Sequence, residues 1–281
     1  MLRLGVHVSI AGTIDKSIDR AKLLGCNTMQ IFSRNPRQWR KSFLESQDVD
    51  LFIEKAKKAD IKPLVIHIPY TLNLASAKKS FYKVTIREFI ADLTEAGQLK
   101  ADYLVTHVGS FKGGTEKGGL LRVINALNKI LKETKAVKTK VLLENTSGSG
   151  HWLGHNFSQL KFIFEGLNWN ERVGICLDTA HAWAAGYKIN APETLEEFVK
   201  EIETEIGIDR LGLIHLNDTK EVLGSLQDRH CAIGAGKIGR KGFSFIINHP
   251  KFKGVPFILE TPKETEADDL KNLKAVRKLY K

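Results

Sequence analysis

Cysteine is scarce in this sequence, with Cys26, Cys176 and Cys231 the three present among 281 residues. Three scattered thiols exclude a disulfide framework and point to a reducing compartment, the cytoplasm. Long apolar runs are missing as well. No stretch approaches the roughly 18–20 residues needed to span a bilayer. The opening MLRLGVHVSIAG has one Arg and a His inside its apolar stretch, so no signal peptide is expected there. Fractions of 42% hydrophobic and 27% charged residues exclude wholesale disorder. A chain this long buries most of its unfolded surface and needs neither disulfide nor structural metal to hold a core. Acidic charge is in deficit: 32 Asp and Glu stand against 43 Lys and Arg, a formal charge of +11. That surplus suits a polyanionic partner but specifies no chemistry.

No composition break marks a linker, so residues 1–281 are expected to form one domain. Short β-branched runs recur, at Leu4–Ser9, Thr28–Phe32, Leu64–Ile68, Tyr103–His107, Lys140–Glu144, Gly174–Asp178, Leu211–Leu216 and Phe257–Thr261. Several are nearly continuous in apolar residues, as in parallel strands buried on both faces. Helix-like stretches separate them. Ser17–Leu24 places Ile18, Ala21 and Leu24 at helical spacing, with Gly25 as a stop. Gln47–Ala59 and Glu266–Leu279 are amphipathic, Asn156 can cap a helix towards Gly166, and Pro192 opens one running to Glu205. This alternation is of the α/β class and predicts a (β/α)8 TIM barrel, with an active site at the C-terminal rim of the strands. A doubly wound open sheet is the alternative. Gly109–Gly119 and Gly224–Gly242 read as long loops after strands.

The ends of the strand candidates carry the chemistry. His67 ends LVIH, His107 ends YLVTH, Glu144 ends VLLE, Asp178 ends GICLD, His215 ends LGLIH and Glu260 ends FILE. The intervals are 40, 37, 34, 37 and 45 residues, one strand–helix unit each. In a barrel these six side chains converge on one pocket. Singly, such a His is commonly a hydrogen-bonded core residue, and such a carboxylate a helix cap. Six in register are costly together unless metals or protons neutralise them. His181 follows Asp178 by three positions, and Asp228 and His230 are separated by one residue in DRH. A two-residue step on extended backbone points both side chains the same way. With His181 they form a His2Asp set, a familiar zinc composition with open positions. Five imidazoles and four carboxylates are too many for one ion, and the mixture suits zinc or manganese better than magnesium. Several ions together activate water and clamp the attacking and leaving oxygens of a phosphodiester. A DNA-sized anionic substrate would account for the positive charge.

At these residues the sequence resembles the endonuclease IV family of apurinic/apyrimidinic endonucleases. The likeness runs nearly end to end: GVHVSIAG at Gly5–Gly12, IFSRNPRQW at Ile31–Trp39, HVGS at His107–Ser110 and ENTSGSG at Glu144–Gly150. It continues through GICLDTAHAWAAGY at Gly174–Tyr187, HLND at His215–Asp218, DRH at Asp228–His230, GAGKIG at Gly234–Gly239 and ILET at Ile258–Thr261. The resemblance implies three Zn2+ ions per chain, with Mn2+ an alternative occupant of one site. It implies hydrolysis of the phosphodiester 5′ to an abasic site in double-stranded DNA, leaving a 3′-hydroxyl and a 5′-deoxyribose phosphate. Removal of 3′ blocking groups in base excision repair follows from the same likeness. By matching motif, Glu144 would bridge two zincs; His67 and His107 would complete one, and Asp178, His215 and Glu260 the other. His181, Asp228 and His230 would hold the third. Glu144 and Glu260 would handle protons. A monomer is expected.

The resemblance also implies DNA contacts. Arg37 matches an Arg that enters the base stack, and Tyr70 an aromatic wedge that kinks the duplex. The sequence departs at Thr71, where a bulkier apolar wedge such as Leu is expected; Leu72 could substitute if the loop shifts. Val108 replaces a Pro of some relatives, with little effect expected. Arg229, between two ligands, is placed to touch phosphate. GAGKIGRKG either brings Lys237, Arg240 and Lys241 to phosphates or is a solvated basic loop. GGTEKGG lacks the ending and spacing of a phosphate-binding P-loop and reads as a flexible loop. His7 is expected to hydrogen-bond a ligand rather than bind metal. Cys231 should point away from the metals and be inert, while His151, His155 and His249 should lie at the surface. The rival activity is a metal-dependent sugar isomerase or epimerase on the same barrel, which generally needs no His181–Asp228–His230 set. A DNA-binding protein without catalysis is disfavoured by nine filled ligand positions.

Overall fold

The computed structural model describes residues 1–34 and 44–281. Within them, eight parallel strands alternate with nine α-helices. The strands are β1 (Leu4–Val6), β2 (Met29–Phe32), β3 (Leu64–His67), β4 (Tyr103–His107), β5 (Lys140–Glu144), β6 (Val173–Asp178), β7 (Leu211–His215) and β8 (Phe257–Leu259). They form one sheet in the order β1-β8-β7-β6-β5-β4-β3-β2. A parallel bridge between His7 and Gln30, and a 2.7 Å hydrogen bond from Val8 N–H to the Gln30 carbonyl, tie its two ends into a TIM barrel. None of the described helices is long and apolar enough to cross a membrane.

The helices are α1 (Lys16–Leu23), α2 (Ser46–Lys58), α3 (Lys79–Gln98), α4 (Glu116–Glu133), α5 (Phe157–Gly166), α6 (Thr179–Ala185), α7 (Pro192–Glu205), α8 (Gly239–Ile247) and α9 (Glu266–Leu279). Local sequence accounts for their starts. The Asn156 side chain accepts the Gln159 N–H at 2.9 Å, Pro192 occupies the first turn of α7, and Thr265 with Asp268 makes a capping box. Two loops expected from glycine content are loops over 109–115 and 224–238, but their last four residues begin helices. The second half of GGTEKGG is the first turn of α4, where Thr115 Oγ1 accepts the Gly118 N–H at 3.1 Å. Buried Leu120, Val123, Leu127 and Ile130 repeat at helical spacing, and their burial outweighs the glycines. Gly119 is itself required there, because a Cβ would lie 2.7 Å from Phe111 Cβ. Likewise Gly239–Gly242 opens α8.

Inside the barrel, Val65, Val105, Leu142, Cys176, Leu213 and Ile258 form a separate buried cluster, one from each of β3 to β8. Each stands two residues before a strand-end His, Asp or Glu. Side chains on a strand alternate faces, so a residue packed in the lumen puts its i+2 neighbour in the lumen one layer higher. The aliphatic layer is thus the floor on which the six polar side chains stand. The larger core fills the space between strands and helices.

Candidate metal centre

Glu144 is fully buried at the centre of the rim. Its Oε2 lies 3.0 Å from His67 Nε2 and 3.2 Å from His107 Nε2, and its Oε1 lies 3.0 Å from His215 Nδ1. His215 Nδ1 is also 3.3 Å from Glu260 Oε2. Further round, Asp228 Oδ1 is 3.1 Å from His181 Nε2 and 3.3 Å from His230 Nε2, and Asp178 Oδ2 is 3.6 Å from His230 Nε2. Ligand-capable atoms gather in three groups, each within 4.8 Å: His67, His107 and Glu144; Glu144, Asp178, His215 and Glu260; and Asp178, His181 and His230. All nine residues singled out from the sequence are therefore brought together. Asp178 is shared by two of the groups, and Asp228 joins the third through its contacts with both imidazoles.

Backbone and amide partners aim these rings. His67 Nδ1 donates to the Ile68 carbonyl at 2.6 Å, and His181 Nδ1 to the Asn145 carbonyl at 2.9 Å. Asn145 also exchanges hydrogen bonds with the Asp178 backbone, at 2.6 and 3.1 Å. The Asn217 amide donates to Asp178 Oδ2 at 2.7 Å and accepts the Glu260 N–H at 2.8 Å. His7 makes the expected indirect contact, standing 3.6 Å from Glu260 and 3.0 Å from the Gln30 amide. Gln30, Asn145 and Asn217 were not singled out from the sequence. For Gln30 the available signal was one amide in an otherwise apolar strand, since an unpaired amide there would be costly.

This donor set fits metal ions. When one ring nitrogen of a neutral imidazole donates to a carbonyl, the other carries a lone pair. For His67 and His181 that lone pair faces a carboxylate oxygen about 3 Å away, which requires a cation between them. His230 Nε2 is buried without a hydrogen-bond partner. In the metal-free chain, protons play the part of the cation. Burial disfavours charge on Glu144, but His107 and His215 override it and hold the carboxyl well below its usual range. Burial likewise opposes charge on His181, yet Asp178, Asp228 and Glu144 hold its imidazole well above the ordinary value. His215 is raised against burial by Cys176, Glu260 and Glu144. Glu260 is lowered against burial chiefly by His215.

A cavity of about 440 Å3 opens beside the third group and is lined by His107, His181 and Asp228 together with Tyr70, Trp152 and Arg229. Tyr70 is 56% exposed at its lip. Thr71 is half-buried and Leu72 is 8% exposed, packed in the core. Leu72 therefore does not substitute at the wedge position, because exposing it would empty its place in the core. Arg229 is exposed, with Nη1 3.5 Å from Glu221 Oε1. Lys237 is exposed further along the same loop and does not line the cavity. Arg37 lies outside the described residues. Cys231 is half-buried, its N–H bonded to the Asp218 carbonyl at 2.7 Å, and burial pushes its thiol up to about 11. His151 is exposed, whereas His155 and His249 are half-buried rather than at the surface; His249 packs on Phe252 and reaches Glu196 at 3.1 Å.

Comparison with known proteins agrees with this geometry. A family model described as a xylose isomerase-like TIM barrel matches residues 18–280. A probable endonuclease 4 of Chloroflexus aggregans is 39% identical over 282 residues, covering 100% of this chain and 99% of its own. The crystal structure of endonuclease IV from Thermus thermophilus superposes with a TM-score of 0.88 at 32% identity, covering 99% of this chain and 98% of that one. A D-tagatose 3-epimerase-like protein shares the fold at a TM-score of 0.76 and 21% identity, covering 99% and 97%.

Proposed function

The chain belongs to the endonuclease IV family, and from that premise we propose that it is a zinc-dependent endonuclease that cuts double-stranded DNA 5′ to abasic sites. The products are a 3′-hydroxyl and a 5′-deoxyribose phosphate, and the same site clears blocked 3′ ends. One observation carries this reading: three contiguous ligand groups, the third opening directly onto the cavity with Tyr70 and Arg229. A one- or two-ion sugar epimerase has no use for His181, Asp228 and His230 beside its site.

His67, His107 and Glu144 would hold one ion, Glu144, Asp178, His215 and Glu260 a second, and His181, Asp228 and His230 a third. Bound there, Zn2+ supplies Lewis acidity at the phosphate oxygens and lowers the pKa of water. The chain supplies the rest. Glu144, with each oxygen already against an imidazole, holds the rim together. Glu260 is less enclosed, its side chain 21% exposed, and moves the proton of the attacking water. Tyr70 stacks in the space left by the missing base, and Arg229 meets the phosphate. The cavity beneath Tyr70 takes the extruded abasic nucleotide.

The test is incision of a duplex carrying one tetrahydrofuran abasic analogue, with and without a strong chelator. Chelator-sensitive cutting on the 5′ side is expected. No incision by zinc-loaded protein, or turnover of a ketose instead, would overturn this reading.

A further inference from the structure

Strands β1 and β2 bring no ligand to the rim, yet Gln30 of β2 is fully buried among the ligands. The amide nitrogen lies 2.6 Å from Glu260 Oε1 and 3.0 Å from His7 Nδ1, and the amide oxygen 2.8 Å from His215 Nε2. The orientation of this amide is forced. A carboxylate only accepts, so the –NH2 end must face Glu260. Its second hydrogen then meets His7 Nδ1. The carbonyl end is left facing His215 Nε2, which has to donate. In the neutral ring that would bind a metal, His215 Nδ1 then carries the lone pair, and that is the atom 3.0 Å from Glu144 Oε1 and 3.3 Å from Glu260 Oε2.

His215 is thereby reversed relative to its neighbours. His67 and His181 donate from Nδ1 to backbone carbonyls and turn Nε2 towards the carboxylates. In those rings the main chain fixes the tautomer. In His215 a side chain fixes it, and that same side chain occupies one oxygen of Glu260, leaving Oε2 for the metal. Gln30 is in turn held from the end of the neighbouring strand β1: Val8 N–H bonds its carbonyl at 2.7 Å, and the His7 ring packs on Phe32 with centroids 4.2 Å apart.

We propose that Gln30 is a positioning residue for the Glu144–Asp178–His215–Glu260 metal group, setting the ligating nitrogen of His215 and the free oxygen of Glu260 through one buried amide. The proposal rests on the metal-dependent reading above, but its test involves no DNA. Full-length protein loaded with Zn2+ alone would be dialysed against graded chelator, and the zinc retained per chain measured by mass spectrometry. Partners of this kind typically contribute about 10–100-fold to metal affinity. Gln30→Met keeps the volume and removes all three hydrogen bonds. It should release one class of zinc at about 10–100-fold lower chelator while the other ions hold as in wild type. Retention identical to wild type, or equal weakening of every ion, would overturn the proposal. A second measurement needs no variant. Long-range 1H–15N spectra of the zinc-loaded wild type should show His215 protonated on Nε2, opposite to His67 and His181; a proton on His215 Nδ1 would overturn it. Failure to cut abasic DNA would sink the proposed activity and leave these outcomes standing, whereas a chain that binds no zinc overturns both.

Discussion

One carboxylate at the rim serves folding and chemistry together. Asp178 Oδ1 accepts the His181 N–H at 2.8 Å and caps α6, while Oδ2 faces His230 Nε2 at 3.6 Å. Cap and ligand, weighed as alternatives from the sequence, are two oxygens of one side chain. The cap also brings His181 back over the rim, which ties the sixth strand to the third ligand group. Glu260 is different, because its backbone and Oε1 are fixed by Asn217 and Gln30 while its second oxygen faces His215 Nδ1 at 3.3 Å. Replacing it with Gln preserves shape and the acceptor facing Gln30. Glu260→Gln should lower single-turnover incision by about 10²–10⁴-fold, the usual share of a general acid–base group. Binding of the abasic duplex, read by fluorescence anisotropy, should stay within a few-fold; wild-type turnover would remove Glu260 from the chemistry. At Cys231 the buried surroundings push the thiol up to about 11. At pH 8 only about 1 in 1,000 of such thiols is thiolate, the nucleophilic form. Maleimide labelling at pH 8 should therefore lag that of free cysteine by about 100-fold and accelerate steadily as pH rises to 10.

At the scale of elements, the strand ends and most of the two long loops were legible, and the starts of the helices that follow those loops were not. A parallel strand signals itself by its apolar run, and period-two alternation fixes which side chains reach the lumen, so His67, His107, Glu144, Asp178, His215 and Glu260 could be read directly. The start of α4 was obscured by its glycines, whose close packing on Phe111 is visible only in three dimensions. Gln30 was hidden for a similar reason: an amide in sequence does not reveal its partners. Asp218 is a further case. It is fully buried after β7, and its carboxylate accepts four backbone N–H groups, from Thr219, Gly234, Gly236 and Ile238, at 2.9–3.1 Å. This clamp folds the GAGKIG loop against the strand, and the Asp218 carbonyl holds Cys231, the neighbour of the proposed ligand His230. Gly236 admits no side chain, since a Cβ would lie 2.4 Å from Asp218 Oδ1. Asp218→Ala would leave several buried N–H groups unpaired, at about 1–3 kcal/mol each. The expected loss is roughly 3 kcal/mol or more, a fall in Tm of about 6–12 °C. If zinc binds as proposed, its retention by the His181, Asp228 and His230 group should weaken most. A melting temperature within 2 °C of wild type would show that the clamp does not stabilise the loop.

At the scale of the whole molecule, the formal charge of +11 separates into layers. The rim alone is acidic, with Glu144, Asp178, Asp228 and Glu260 on one surface and imidazoles between them. In the proposed three-metal site, three divalent cations would outweigh four carboxylates, so metal loading would convert an acidic rim into a cationic one. Chelation should therefore weaken DNA binding as well as abolish cutting, with the fold retained by the aliphatic floor beneath the site. The second layer is Lys and Arg, and its parts differ in consequence. Arg229 lines the cavity and Lys237 is exposed on the loop clamped by Asp218; in the proposed function both meet phosphates of the duplex. Lys132, exposed in the last turn of α4, stands far from the rim. Each phosphate neutralised by a basic side chain steepens the fall of log K with log salt by about 0.9. Arg229→Ala and Lys237→Ala should each flatten that slope by about one, and by about two together, for abasic and intact duplex alike. Lys132→Ala should leave it unchanged. Equal slopes for all three variants would mean that the basic surplus acts as a diffuse field rather than through residues at the rim.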